Sequence, residues 1–282
     1  MLRSDLPALG SLDLHPGPAI VLMNHPAWWD PLVGMVLADR FTPGRTPCAP
    51  MDVAQLRRFG FFRRLGLFGI DPQDPRSAGA MREHVLGLFR VQSRPTLWIT
   101  PQGRFTDVRE PIRCRTGSAL IAASCERPAV IAVAIEYAFW QDQRPEILIT
   151  AERVAPALVP APEGSAMQRS SHRQAMHWHR AMEEAMATAA GRLSRAVIAR
   201  DPALFCPLLG GASGRINPVY DLWLRLRGRH GAIAAREASP EARAAPSDGP
   251  PRNGHQDRGG ELEHPVHATT AASPAPDANG SR

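Results

Sequence analysis

The feature that most limits what this chain can fold into is a set of short, dense apolar runs separated by longer helical patterns. The runs are Ala19–Met23 (AIVLM), 96–100 (TLWIT), 129–137 (AVIAVAIEY) and 146–150 (EILIT), with a weaker one at 46–49. They read as strands, the densest of them buried. Between them lie helical stretches at 31–39, at 53–65 (interrupted by Gly60), at 77–92 and at 165–200. The stretch 77–92 sets Met81, Val85, Leu88 and Phe89 on one face, the spacing of an amphipathic helix. Strands alternating with helices predict an α/β fold: a single domain with a mixed, mostly parallel sheet flanked by helices. Sites in such sheets lie beyond the carboxyl ends of the strands. Two polar clusters fall there, Asn24-His25 after the first run and Pro101-Gln102-Gly103-Arg104 after TLWIT.

Composition bounds the rest. Of 282 residues, 44% are hydrophobic, enough for a sizeable core. From Gly231 onward large apolar residues almost vanish while Pro, Gly, Ala and charge accumulate. Such a segment cannot bury enough surface to offset its chain entropy. The expected organisation is therefore a domain over 1–230 and a disordered tail over 231–282. The chain has no lysine, so all 33 basic side chains are arginine, against 27 acids and a formal charge of +6. Arginine is always charged and grips phosphate or carboxylate with two prongs. This balance favours anionic partners: nucleic acid, anionic lipid or phosphorylated small molecules.

The four cysteines, Cys48, Cys114, Cys125 and Cys206, form no CxxC pair and no metal-ligand or disulfide ladder. A reduced, cytoplasmic setting is the expectation. No run of roughly 18 apolar residues is present, so membrane contact is expected to be peripheral. The first residues are too polar for a signal peptide.

The stretch VLMNHPAWWDPL holds His25 five residues before Asp30. With ten histidines in the chain, about half a match to this spacing arises by chance, so the spacing alone is weak. Geometry adds to it. Residues five apart on a helix are about 140° apart and do not face each other. They meet only across a turn or at a helix start, and Pro26 and Pro31 suit such an irregular segment. A carboxylate there can hold one ring nitrogen of the imidazole and leave the other to take a proton from a hydroxyl. The alternative is a surface histidine beside a capping aspartate. Asn24 either fixes the turn by bonding to backbone or caps the helix. Trp28 and Trp29 either line a pocket or pack in the core. Glu136 and Tyr137, ending the AVIAVAIEY run, read as structural.

In its motifs the chain resembles the glycerolipid acyltransferases, the PlsC-like lysophosphatidate acyltransferase family, over roughly residues 15–155. The family's first block, NHxSxxD, is matched by Asn24, His25 and Asp30, with Ala27 or Trp28 in place of its serine. The second falls loosely on 66–71, its arginine matched by Arg76. The third, FPEGTRS, is similar to TPQGRFT at 100–106, with Gln102 replacing the family's glutamate and Arg104-Phe105 its Thr-Arg pair. The fourth is similar to 129–134, with alanine in place of its proline.

The resemblance implies acyl transfer from a thioester, on coenzyme A or acyl carrier protein, to a hydroxyl of a lysophospholipid, glycerol-phosphate or related lipid. His25 is the implied base and Asp30 its orienting partner. Asn24, Arg76, Pro101, Gln102, Gly103 and Arg104 are implied to bind substrate, with no metal and no cofactor beyond the donor. Backbone amides near Gly103, or after His25, are candidates to support the oxyanion. Gln102 keeps an oxygen acceptor but no charge, which points to a changed acceptor. An anionic membrane surface is the expected partner, through the Arg- and Phe-rich 56–65 or the amphipathic 219–227. The same stretches suit ordinary docking on the domain. Two other readings stand beside the enzyme: a catalytically inactive lipid-binding relative, and a basic nucleic-acid-binding protein. No nucleic-acid module signature is present, so nucleic acid is not an expected partner. The sequence is silent on oligomeric state.

Overall fold

Strand parity divides the core into two layers, one on each side of a sheet. In the computed structural model, which describes residues 1–74, 76–140, 145–156 and 167–209, the elements run α1 (Leu6–Gly10), β1 (Ala19–Met23), α2 (Asp30–Phe41), β2 (Thr46–Asp52), α3 (Val53–Arg58), β3 (Leu67–Ile70), α4 (Ser77–Val91), β4 (Pro95–Ile99), α5 (Gly117–Ala123), β5 (Ala129–Ala138), β6 (Glu146–Arg153) and α6 (Met167–Ala199). The sheet has the order β3-β2-β4-β1-β5-β6. All neighbouring pairs are parallel except β5 with β6. The protein is therefore α/β with a mixed, mostly parallel sheet.

Successive side chains of a strand point to opposite faces. Ile20 and Leu22 of β1, Leu97 and Ile99 of β4, and Val130 and Ala132 of β5 share one face. They pack against Met81 and Val85 of α4, Ile121 of α5, and Met182 and Met186 of α6. Val21, Met23, Trp98, Ile131, Val133 and Ile135 take the other face, under Leu9 and Leu12 near the start and Val33 and Leu37 of α2. All five residues of β1 and of β4 are buried. This double coverage explains why these strands are written as continuous apolar runs rather than as alternating ones.

The segment leading into β1 is held by Arg45. Its buried guanidinium donates to the carbonyls of Leu12, His15, Gly17 and Pro95 and to Thr96 Oγ1, at 2.6–3.0 Å. Burial lowers its pKa to about 10, and it stays charged at neutral pH. This side chain ties the segment that leads into β1 to the first two residues of β4.

Several elements differ from the sequence expectation. The stretch 53–65 splits into α3 and a 3-10 turn, Gly60–Leu65. Strand β3 and helix α5 were not anticipated. β3 is four residues long and contains a glycine, too short for a period to show. It forms because Gly66, at φ +86°, swings the chain back beside β2, where a Cβ would lie 2.5 Å from the Pro47 carbonyl oxygen. Helix α5, GSALIAA, has a sequence of mostly small residues whose pattern is weak. The proposed tail 231–282, the domain limit at 230 and the amphipathic stretch 219–227 lie outside the described residues. Among the described residues no helix is long and apolar enough to cross a membrane.

Candidate active site

The two polar clusters meet at the carboxyl edge of β1 and β4, which are hydrogen-bonded neighbours. After Met23 the chain leaves the sheet, and Asn24 continues the ladder with its side chain. The Asn24 amide donates Nδ2 to the Ile135 carbonyl at 2.9 Å and accepts the Ile135 N–H at Oδ1, 2.7 Å. A side-chain amide carries one donor and one acceptor edge, as a peptide does, so it extends the β1–β5 pairing past the turn. Both edges are taken by backbone in a buried position, and the helix-cap alternative does not apply.

The turn from Ala27 to Asp30 is closed in both directions. Asp30 N–H donates to the Ala27 carbonyl at 3.3 Å, and Ala27 N–H donates to Asp30 Oδ2 at 3.0 Å. The turn folds Asp30 back beneath His25, and His25 Nδ1 lies 2.7 Å from Asp30 Oδ2. Asp30 opens α2 and is completely buried. Its other oxygen, Oδ1, accepts the Tyr137 hydroxyl at 2.7 Å. An ionised Asp30 can only accept, as Oδ2 does from the Ala27 N–H, so the ring nitrogen facing it is the one that carries the hydrogen. That tautomer leaves His25 Nε2 with its lone pair. His25 is part-buried, with 18% of its side chain exposed.

Tyr137 reaches Asp30 by parity. Counting from Val133 and Ile135, it lies on the sheet face covered by α2, while Glu136 lies on the other. β5 also runs past the end of β1, whose last residue pairs with Val133. Burial first, and then the bond to Asp30, push the Tyr137 phenol far above its usual range, so it remains a donor. Glu136 is pushed up by burial, opposed by nearby Arg109.

The second cluster is fastened to the first. Thr106 N–H donates to the His25 carbonyl at 3.0 Å, and the Phe105 ring stacks on the His25 ring with centroids 4.1 Å apart. Gly103 takes φ +68° in this turn and donates its N–H to the Thr100 carbonyl at 3.0 Å. Its amide is not free for an oxyanion, and neither is that of Ala27. The Pro101 carbonyl accepts from Arg115 N–H at 2.8 Å. Gln102 is buried, and its Oε1 has no hydrogen-bond partner among the described residues. An acceptor left dry and unpaired is uncommon and costly unless something arrives to bond it.

The arginines stand differently. Arg104 is exposed and paired with Glu110 at 2.9 Å. Arg76, just before α4, is 95% exposed, with Asp74 at 3.7 Å. No hydrogen bond or ion pair joins either of them to His25, Asp30 or Gln102 among the described residues. Trp28 and Trp29 are 54% and 57% exposed, so they are not core residues. Phe105, Thr106 and Tyr137 had no site role in the sequence reading. The available signals were the parity of β5 for Tyr137 and, for Phe105, its place in the TPQGRFT turn. Among the described residues, no group of three or more His, Cys, Asp or Glu side chains is placed to hold a metal ion.

No curated protein matches the sequence. A protein-family model described as Acyltransferase matches residues 9–136, a span that takes in β1 through most of β5 and both polar turns. The His25–Asp30 turn and the TPQGRFT turn both lie inside that span, so residues 9–136 form an acyltransferase-family region, similar to the PlsC-like glycerolipid acyltransferases, and the protein is an acyltransferase.

Proposed function

We propose that this acyltransferase moves a fatty acyl group from a thioester of coenzyme A or acyl carrier protein to a hydroxyl of a lysophospholipid, glycerol-phosphate or related lipid acceptor. His25 is the general base. The observation that supports this most is the buried Asp30, whose two oxygens accept from His25 Nδ1, Ala27 N–H and Tyr137 O–H. Three donors fix the carboxylate, the carboxylate fixes the ring, and the ring presents Nε2.

In the proposed reaction, His25 Nε2 takes the proton of the acceptor hydroxyl as its oxygen attacks the thioester carbonyl carbon. The new C–O bond forms, the carbonyl oxygen carries the negative charge, and the imidazolium is stabilised by Asp30. When the carbonyl re-forms, the C–S bond breaks and the leaving thiolate takes the proton back from His25. No acyl-enzyme and no metal enters this scheme. Gln102 Oε1 suits a donor on the acceptor, such as a second hydroxyl. Arg104 binds an anionic headgroup in this reading by giving up Glu110. Asn24 is a positioning residue, its amide being committed to Ile135. Pro101 and Gly103 shape the turn that carries Gln102, and Arg76 is the more exposed of the two proposed anion contacts.

The test is transfer from a radiolabelled acyl thioester to a panel of lipid acceptors by the purified chain and by His25→Ala. General-base loss is expected to lower turnover about 10²–10⁴-fold. Equal turnover in the two proteins rejects His25 as the base. A wild-type chain that binds lipid yet transfers to no acceptor favours the inactive relative that the Gln102 replacement brings to mind.

A further inference from the structure

We propose that the aromatic and arginine side chains beside His25 form a docking rim for an anionic membrane surface. The rim is a connected set of rings. Trp28 and Trp29 meet edge to face with centroids 5.5 Å apart, and Trp28 meets Phe59 at 6.3 Å. Phe59 meets Phe62 at 6.5 Å, and Phe61 stacks on Phe62 at 4.1 Å. Phe62 is buried and anchors the set, whereas Trp28, Trp29 and Phe61 each expose more than half of their surface. Single exposed apolar residues are ordinary, but a linked cluster of large rings is not. Phe105, 55% exposed and stacked on His25, carries the same character to the reactive ring itself.

Charge selects the occupant. Arg57, Arg58, Arg63 and Arg64 are all exposed. Arg58 lies over the Phe59 ring at 5.3 Å. No ion pair is made by any of the four among the described residues, and they fall within eight consecutive positions. No acid occurs from Val53 to Ile70, and Asp52, just before, is spent capping α3 through Ala54 and Gln55 N–H. Four uncompensated cations around exposed indole and phenyl rings match the headgroup layer of a bilayer, where rings bury their bodies and arginines meet lipid phosphate. The proposal rests on the lipid-acceptor reading for its purpose: Trp28 and Trp29 belong to the turn that holds His25, so docking there brings the base to the level of a lipid hydroxyl.

The test is sedimentation of the full chain with vesicles of phosphatidylcholine alone, or with about 30 mol% phosphatidylglycerol. Binding to the anionic vesicles is expected, weakened by salt. Each arginine near such a surface is worth about a fivefold change in affinity, so R57Q/R58Q/R63Q/R64Q is expected to lose at least about 50-fold. Quenching of tryptophan fluorescence by brominated lipid is expected in the parent and strongly reduced in W28F/W29F. All six substituted side chains are exposed, and a melting curve confirms that each variant folds. Equal binding to neutral and anionic vesicles, full binding by the arginine variant, or preference for a single-stranded oligonucleotide overturns the proposal. His25→Ala separates the two readings: loss of acyl transfer with vesicle binding intact leaves the rim standing, and a rim that fails leaves the chemistry untouched.

Discussion

Replacing Asp30 with Asn removes one charge and little else, and the surrounding donors dictate how the amide must sit. Ala27 N–H is fixed by the backbone and can only donate, while the Tyr137 hydroxyl can turn to accept. The Asn oxygen therefore takes the place of Oδ2, facing Ala27 and His25, and its NH₂ faces Tyr137. The histidine tautomer is preserved. What is lost is the negative charge beside the imidazolium that forms in the transition state. With Nδ1 and Oδ2 2.7 Å apart, the charge centres lie roughly 4 Å apart, an attraction of about 4 kcal/mol at an effective dielectric constant of about 20. Proton transfer is incomplete in the transition state, so only part of this appears in the rate. We expect kcat for acyl transfer to fall about 10²–10³-fold with KM nearly unchanged, and the melting temperature to move by only a few degrees. The assay is steady-state transfer from a labelled acyl thioester beside a thermal melt. A kcat within about threefold of the parent would refute the reasoning, because the carboxylate would then be a structural cap and not a stabiliser of imidazolium.

Three further outcomes are expected. Tyr137→Phe leaves Asp30 Oδ1 dry and unbonded, costing about 1.5–3 kcal/mol of stability by denaturant titration and lowering kcat more than it raises KM. Asn24→Ala strands the backbone N–H and C=O of Ile135 in a buried site and is expected to cost about 2–4 kcal/mol in the same titration, with Asn24→Asp worse than a simple loss of one bond because its second oxygen faces the Ile135 carbonyl. Burial of Cys48 and partial burial of Cys114 and Cys125 make stability fall in alkali. Burial pushes Cys48 and Cys114 up to about 12 and Cys125 up to about 11, from 9.0. The folded state then keeps protons that the unfolded chain releases, so their contribution is full below about pH 9 and is lost as the pH rises toward 11–12. Urea midpoints at about pH 8 and about pH 10.5 check this, with Cys48→Ala expected to flatten the decline.

The strongest strands were legible because covered sheets leave an unmistakable record. AIVLM and AVIAVAIEY are apolar at nearly every position and TLWIT at all but its two threonine ends, and no exposed element has reason to be. β3 and α5 left no such record, since a four-residue edge strand and a seven-residue helix of small side chains borrow their stability from neighbours. The two tryptophans show the same limit from the other side. Trp28 and Trp29 have the composition of a core and the exposure of a surface, and only their position on the turn decides it.

For the site, the chain by itself determined that His25 and Asp30 could meet only across a turn, because a spacing of five is closed to a helix face. It also determined which residue types follow β1 and β4. Tertiary structure decided everything that depends on sheet order and parity: that β1 lies between β4 and β5, that Asn24 pairs with Ile135 across 111 positions, that Tyr137 reaches Asp30 across 107, and that Phe105 covers the imidazole. Local sequence sets the conformation of a few neighbouring bonds, whereas partners a hundred residues apart are chosen by which faces of which strands the whole core can bury.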